Sequence, residues 1–178
     1  MRKIAIFIGT RPDTLKLIPI IRTIKKDKIP VDVIATGQHT SLLALVLKEF
    51  QLRTDIKFNI KRNDLNEFSG KLLLKLSGIL KDYKLAIVQG DTTTSMIAGL
   101  ACFYAGIPVF HIEAGLRSGD MYDPYPEEVN RRIITQIAEH NFAPTTISRD
   151  NLIKEGVKKS KISITGNTII DLVSDISK

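Results

Sequence analysis

The chain has 178 residues, 43% of them hydrophobic, and a formal net charge of +7, which suits one compact domain with a core and excludes a disordered tail. The positive balance favours anionic ligands, but the basic residues are scattered, Trp is absent and aromatic residues are few, so nucleic acid binding is not expected. Cys102 is the only cysteine, which excludes an internal disulfide and a cysteine metal site.

The opening MRKIAIFIGT is too short in its apolar run for a signal peptide. No run approaches the ~18 apolar residues of a membrane span, so a cytoplasmic protein with no membrane partner is expected. Residues 3–8 predict a strand, and Gly9-Thr10-Arg11-Pro12 the loop that leaves it. A helix is predicted to begin between Asp13 and Ile18, with Leu15, Ile18, Ile21 and Ile24 on one face; Pro19 blurs its start. Residues 31–35 read as a second strand, ended by Thr36-Gly37-Gln38-His39, and 42–50 as a second helix. An extended piece over 56–60 follows. Residues 64–82 then predict a long amphipathic helix, opened by Asp64 and Glu67 at capping-box spacing, with Leu65, Phe68, Leu72 and Ile79 as its apolar stripe.

The stretch 89–132 carries the chemistry. Residues 85–89 read as a buried strand running into Gly90-Asp91, after which Thr92 to Ser95 offer hydroxyl caps for a deeply packed helix through Tyr104. Residues 108–113 predict another strand, with His111 and Glu113 on one face and Gly115 ending the run. Pro126 opens a helix carrying Glu127 and Glu128 in its first turn, with Val129, Ile133 and Ile137 at spacing four. A short strand over 141–143, a helix over 148–155 stopped by Gly156, a strand over 161–165, the turn Gly166-Asn167 and a helix over 168–176 complete the chain.

Strands alternating with helices, with apolar strand cores, predict an α/β Rossmann-like parallel sheet with helices on both faces. In such sheets ligands gather at the carboxyl ends of strands, where Asp91 and Glu113 fall, with Glu127 on the next helix. Each has a plainer reading. Asp91 can be a turn residue, and Glu127 and Glu128 can be surface ion pairs with Arg131 and Arg132 four positions on. Glu113, ending an apolar strand, needs a partner if it is buried. The glycine fingerprints of NAD and P-loop sites are missing, so no cofactor is expected, and the three histidines form no metal constellation.

Read together, GTRPD, TGQH, QGDTTTS, HIEAGLRSGD, PEEVNRR and ITGNTIID resemble the non-hydrolysing UDP-N-acetylglucosamine 2-epimerase family, in family order from Gly9 to Asp171. The resemblance implies interconversion of UDP-GlcNAc and UDP-ManNAc by elimination and re-addition of UDP, on one half of a GT-B two-domain fold. By motif it puts catalytic roles on Asp91, Glu113, Glu127 and Lys16, leaving open which acid is the C2 base. It puts substrate contacts on Thr10 and Arg11, and it matches Gln38, His39, Arg117 and Glu128 to positions that hold a second UDP-GlcNAc as activator in bacterial relatives. Thr40 and Asp13 depart from the family pattern, which commonly has Arg and Glu there. The resemblance also implies that residues 1–166 are the amino-terminal domain and 167–178 the start of a crossover to a second domain that this chain lacks. The partners the resemblance implies are UDP-GlcNAc or UDP-ManNAc and that second domain, for which three readings stay open: a cut chain, a split gene whose other half is a separate chain, or a relic. A homodimer goes with a regulatory role. Alternatives stay open: a non-catalytic regulatory or split-subunit module, a hydrolysing 2-epimerase releasing free ManNAc, or a GT-B glycosyltransferase.

Overall fold

The computed structural model describes residues 2–38, 40–60 and 64–177. Seven parallel strands, β1 (Lys3–Ile8), β2 (Val31–Ala35), β3 (Ile56–Lys57), β4 (Tyr83–Gln89), β5 (Val109–Ile112), β6 (His140–Ala143) and β7 (Ile162–Ile164), form one sheet in the order β3-β2-β1-β4-β5-β6-β7. The chain lays strands outward from β1 to β3, then returns to the other side of β1 and continues from β4 to β7. This reversal makes the crevice between the carboxyl ends of β1 and β4 the topological switch point, where open α/β sheets bind ligands.

Among the described residues, seven helices cover the layer: α1 (Arg11–Lys26), α2 (Thr40–Glu49), α3 (Leu65–Ser77), α4 (Thr93–Tyr104), α5 (Glu127–Ile137), α6 (Thr146–Lys154) and α7 (Thr168–Ile176). Because strand side chains alternate faces, β1 serves two cores. Ala5 and Phe7 pack with Phe68, Leu72 and Leu76 of α3, Ala98 and Cys102 of α4 and Ile134 of α5, while Ile4, Ile6 and Ile8 pack with Leu17 and Ile21 of α1 and Leu43 of α2. The last helix lies on α1, where Leu172 meets Ile18 and Val46.

Several predicted boundaries move, for identifiable reasons. Helix α1 starts at Arg11, ahead of the predicted Asp13, because Pro12 suits a first turn and the Asp13 carboxylate accepts the Thr10 amide at 2.8 Å. The predicted helix over 64–82 ends at Ser77; Gly78 interrupts it, and Leu80–Asp82 forms a separate 3-10 turn. Its buried stripe is Phe68, Leu72 and Leu76. The extended piece predicted over 56–60 pairs with the sheet only at Ile56–Lys57. Thr145 caps α6 by accepting the Ser148 amide, starting that helix two residues early.

Gly9 and Gly115 are required by close approach. A Cβ on Gly9 would sit 2.1 Å from Thr94 Oγ1, and one on Gly115 would sit 2.2 Å from the Ser148 carbonyl, with Gly115 at φ +89°. Each lets a loop leaving a strand press against the start of a neighbouring helix. Among the described residues no helix is long and apolar enough to cross a membrane.

Candidate active site

A cleft of about 490 Å³ opens at the switch point, and Thr10, Arg11, Asp13, Lys16, Gln38, Gln89, Asp91, Thr92, Glu113 and Glu127 are among the residues lining it. The three acids singled out in the sequence therefore share one wall. A larger groove, about 620 Å³, runs beside α1 and α7 past Arg22, Asp171 and Asp175, and contains none of them.

Glu113 directly follows β5 with φ at +63°, a left-handed backbone that costs a non-glycine residue on the order of 1–3 kcal/mol. The turn carries its side chain into a ring of donors. Lys16 Nζ donates to both oxygens, at 2.8 and 2.7 Å; Gln89 Nε2 donates to Oε2, and Asn167 Nδ2 to Oε1 at 2.7 Å. One cation and two amides thus supply the partner that a carboxylate at the end of an apolar strand requires.

Asp91 follows β4 and Gly90. Its carboxylate is paired with Arg131, and its carbonyl accepts from Asn130 Nδ2 at 2.8 Å, so two consecutive residues of α5 fix it. Burial raises its carboxyl above the ordinary value; the Arg131 guanidinium pulls it back, and the nearby charges of Glu127 and Glu113 add to the rise. Asp91 therefore feels the charges of the other two acids. Glu127, in the first turn of α5, is half-buried and has no hydrogen bond or ion pair among the described residues.

Gln38 is buried, and its Oε1 accepts both the Thr94 amide at 3.0 Å and the Thr94 hydroxyl at 2.7 Å. Because Thr94 N–H demands an acceptor, this fixes which end of the Gln38 amide is the oxygen, and Gln38 is among the residues lining the cleft. Arg11 is exposed at the rim and Thr10 is buried at the head of α1.

Two residues matched by motif sit off the cleft wall. Arg117 binds Glu155 through Nε and Nη2, at 2.6 Å each, and donates to Thr135 Oγ1 at 3.0 Å. Glu128 is fully buried, its oxygens taken by the Ser118 amide at 3.1 Å, Arg131 at 3.3 Å and Arg132 at 2.8 Å. Burial pushes its carboxyl upward, but the Ser118 amide and the two guanidinium groups outweigh it and hold it below the ordinary value. Glu128 is thus ion-paired as its spacing allowed, inside the protein instead of on its surface. His39 lies outside the described residues.

Three contributors were not singled out from sequence. Gln89 and Asn167 lie inside the motifs, but their contacts with Glu113 span 24 and 54 positions, and Arg131 was paired on paper only with its helix neighbours. The Gly-Asn-Thr turn gave one usable signal, since Asn before an apolar helix reads as a cap.

Two buried titratable groups flank the wall. His111 is fully buried and held neutral, its pKa brought down to about 4 chiefly by burial, with Nε2 at 2.8 Å from the Gly90 carbonyl. Asp13 is pushed up to about 6 by burial, which outweighs its hydrogen bonds from the Thr10 and Gly9 amides. A carboxyl whose folded value exceeds its unfolded one takes up its proton earlier in the folded state, so stability rises as pH falls through about 6. Lowering pH from 7 to 5 should therefore shift the gap in unfolding free energy between the parent and Asp13→Asn by on the order of 1 kcal/mol in favour of the parent. Urea midpoints at the two pH values measure this; a gap that does not change would contradict it.

The family model described as UDP-N-acetylglucosamine 2-epimerase matches residues 22–178. The UDP-N-acetylglucosamine 2-epimerase of Escherichia coli K12 is 43% identical over 174 residues, covering 95% of this chain and 46% of its own. Among solved structures, UDP-GlcNAc 2-epimerase from Neisseria meningitidis bound to UDP-GlcNAc superimposes with a TM-score of 0.92 at 40% identity, covering 98% of this chain and 48% of that one. A Staphylococcus aureus MnaA–UDP co-structure gives 0.93 at 37%, with 98% and 47% covered. The chain spans about half the length of the curated relatives it matches, and its sheet is one Rossmann-like half of a GT-B type fold. With the match over most of its length and that fold, the chain belongs to the UDP-N-acetylglucosamine 2-epimerase family.

Proposed function

We propose that this chain is the amino-terminal catalytic half of a non-hydrolysing UDP-GlcNAc 2-epimerase, residues 1–166 forming its domain and 167–178 the beginning of the crossover to a second domain. The observation that carries the reading is the convergence of Asp91, Glu113, Glu127 and Lys16 on one cleft at the switch point. The C2 proton passes to a carboxylate, the C1–O bond breaks with its electron pair leaving on UDP, and a 2-acetamidoglucal remains. Re-addition of UDP to C1, with a proton delivered to the opposite face of C2, gives UDP-ManNAc.

The three acids have different surroundings, and these suggest a division of labour. Glu113, with both oxygens occupied by Lys16, Gln89 and Asn167, holds the Lys16 ammonium in place. A cation there offsets charge building on the departing diphosphate. Asp91, raised by burial, and Glu127, without a partner among the described residues, are the groups free to move a proton at C2. Arg11 at the rim and Gln38, both lining the cleft, contact the nucleotide sugar. Arg117 and Glu128 act from behind the wall.

Relatives carry roughly as much chain again, and the nucleotide grip is assigned to that other half. Mixing this chain with a separately expressed second domain of a relative and supplying UDP-GlcNAc should yield UDP-ManNAc, read by proton NMR of the anomeric signals. Appearance of free ManNAc with UDP would replace the reading with the hydrolysing one. No conversion by an assembled complex would favour a regulatory module.

A further inference from the structure

We propose that Asn167 is a positioning residue for Glu113, acting through a side chain that caps α7 with one end and orients the carboxylate with the other. Its Oδ1 accepts the Ile169 amide at 3.2 Å, and its Nδ2 donates to Glu113 Oε1 at 2.7 Å. The next residue, Thr168, donates its hydroxyl to the Lys16 carbonyl at 2.6 Å. The start of α7 therefore clasps both members of the Lys16–Glu113 pair. Leu172, buried against Ile18 and Val46, keeps the helix seated on α1.

Capping by itself does not require this residue, since Asp and Ser cap helices about as well as Asn. The neighbour narrows the choice. Asp would turn an anion toward the Glu113 carboxylate, and Ser is too short to reach it while capping. Asn alone among the preferred caps offers an acceptor to the helix and an amide donor of that length to the acid. Glu113 also sits at φ +63°, a conformation that persists only where its surroundings over-determine it. Asn167 supplies one of those constraints from 54 positions away.

The consequence for turnover rests on the epimerase reading, so the test has two arms. Asn167→Asp and Asn167→Ser both retain a cap and should leave the backbone amides of α7 as protected from hydrogen exchange as in the parent. The readout of positioning is the side-chain amide signal of Gln89 in a 15N–1H spectrum. Gln89 touches Glu113 Oε2, the oxygen that Asn167 does not bond. That signal should move by more than its linewidth in both variants, because Oε1 then keeps only its Lys16 donor and the carboxylate rotates. In the assembled enzyme, Asn167→Asp should lower kcat tenfold or more with KM within about threefold of the parent. The inference is overturned if the Gln89 signal stays in place in both variants, or if it moves while an active parent enzyme and Asn167→Asp turn over alike. A parent complex that turns nothing over would count against the epimerase reading alone; the Gln89 signal then still decides whether Asn167 holds Glu113.

Discussion

Glu113→Gln is expected to reduce turnover of UDP-GlcNAc on the order of 10²–10³-fold, the range for losing one group that stabilises charge in the transition state. The substitution keeps the side-chain length and removes the charge, so it isolates the carboxylate. In the parent, two oxygens accept from Lys16, Gln89 and Asn167. A glutamine has one acceptor oxygen, and its NH2 would face a donor on whichever side it turned. The Lys16 ammonium then loses its bidentate seat and no longer stands where charge develops on the leaving diphosphate. Folding should survive, because Lys16 keeps access to solvent, its side chain being 26% exposed. The measurement is kcat beside a thermal melt. Near-parental kcat would remove Glu113 from the mechanism, and collapse of the melt would recast it as a folding residue.

Glu128→Ala should instead act on stability. Both oxygens of this fully buried carboxylate are engaged by Ser118, Arg131 and Arg132. Its deletion leaves the Arg131 guanidinium, whose side chain is 12% exposed, without half of its anionic neighbours. Removing one partner of a buried pair costs about 3–5 kcal/mol when the remaining charge is left uncompensated. With Asp91 still beside Arg131 and Arg132 reaching solvent, the loss should lie at or somewhat below the lower end of that range. Urea unfolding at pH 7 measures it, and a loss below about 1 kcal/mol would show that solvent or a neighbour replaces the carboxylate. Arg131 also holds Asp91, so the variant should lose turnover as well. That loss should exceed any change in KM, as expected when an acid is misplaced and substrate contacts remain.

The alternation of apolar strands with amphipathic helices was enough to read the layer, because the central strands β1, β2 and β4 are buried along most of their length and α1, α3 and α5 each bury one stripe. The spacing of Gly90-Asp91 and of the 108–113 strand was enough to place two acids at strand ends. Strand order was not legible: nothing in the sequence marks β4 as the neighbour of β1, and that pairing creates the cleft. Boundaries moved where a local device overrode periodicity, as with Pro12 and Asp13 at the start of α1 and Gly78 within the predicted long helix. The partners of the acids were the least legible part. Glu128 looked like a residue of an exposed helix start because helix spacing shows which residues can pair and not whether a loop such as Ser118 closes over them. The bonds from Lys16 and Asn167 to Glu113 cross 97 and 54 positions. Only the folded sheet brings them together.

The central claim is that these acids face the second carbon of one hexose and exchange its hydrogen with water. Incubating UDP-GlcNAc in D2O with this chain and a relative's second domain, then recording proton and mass spectra of the nucleotide sugars, tests that most directly. One deuterium at C2 of both UDP-GlcNAc and UDP-ManNAc, lost when Asp91→Asn and Glu127→Gln are combined, is the result expected. UDP-ManNAc formed with its original C2 hydrogen, or exchange undiminished in the double variant, would contradict it.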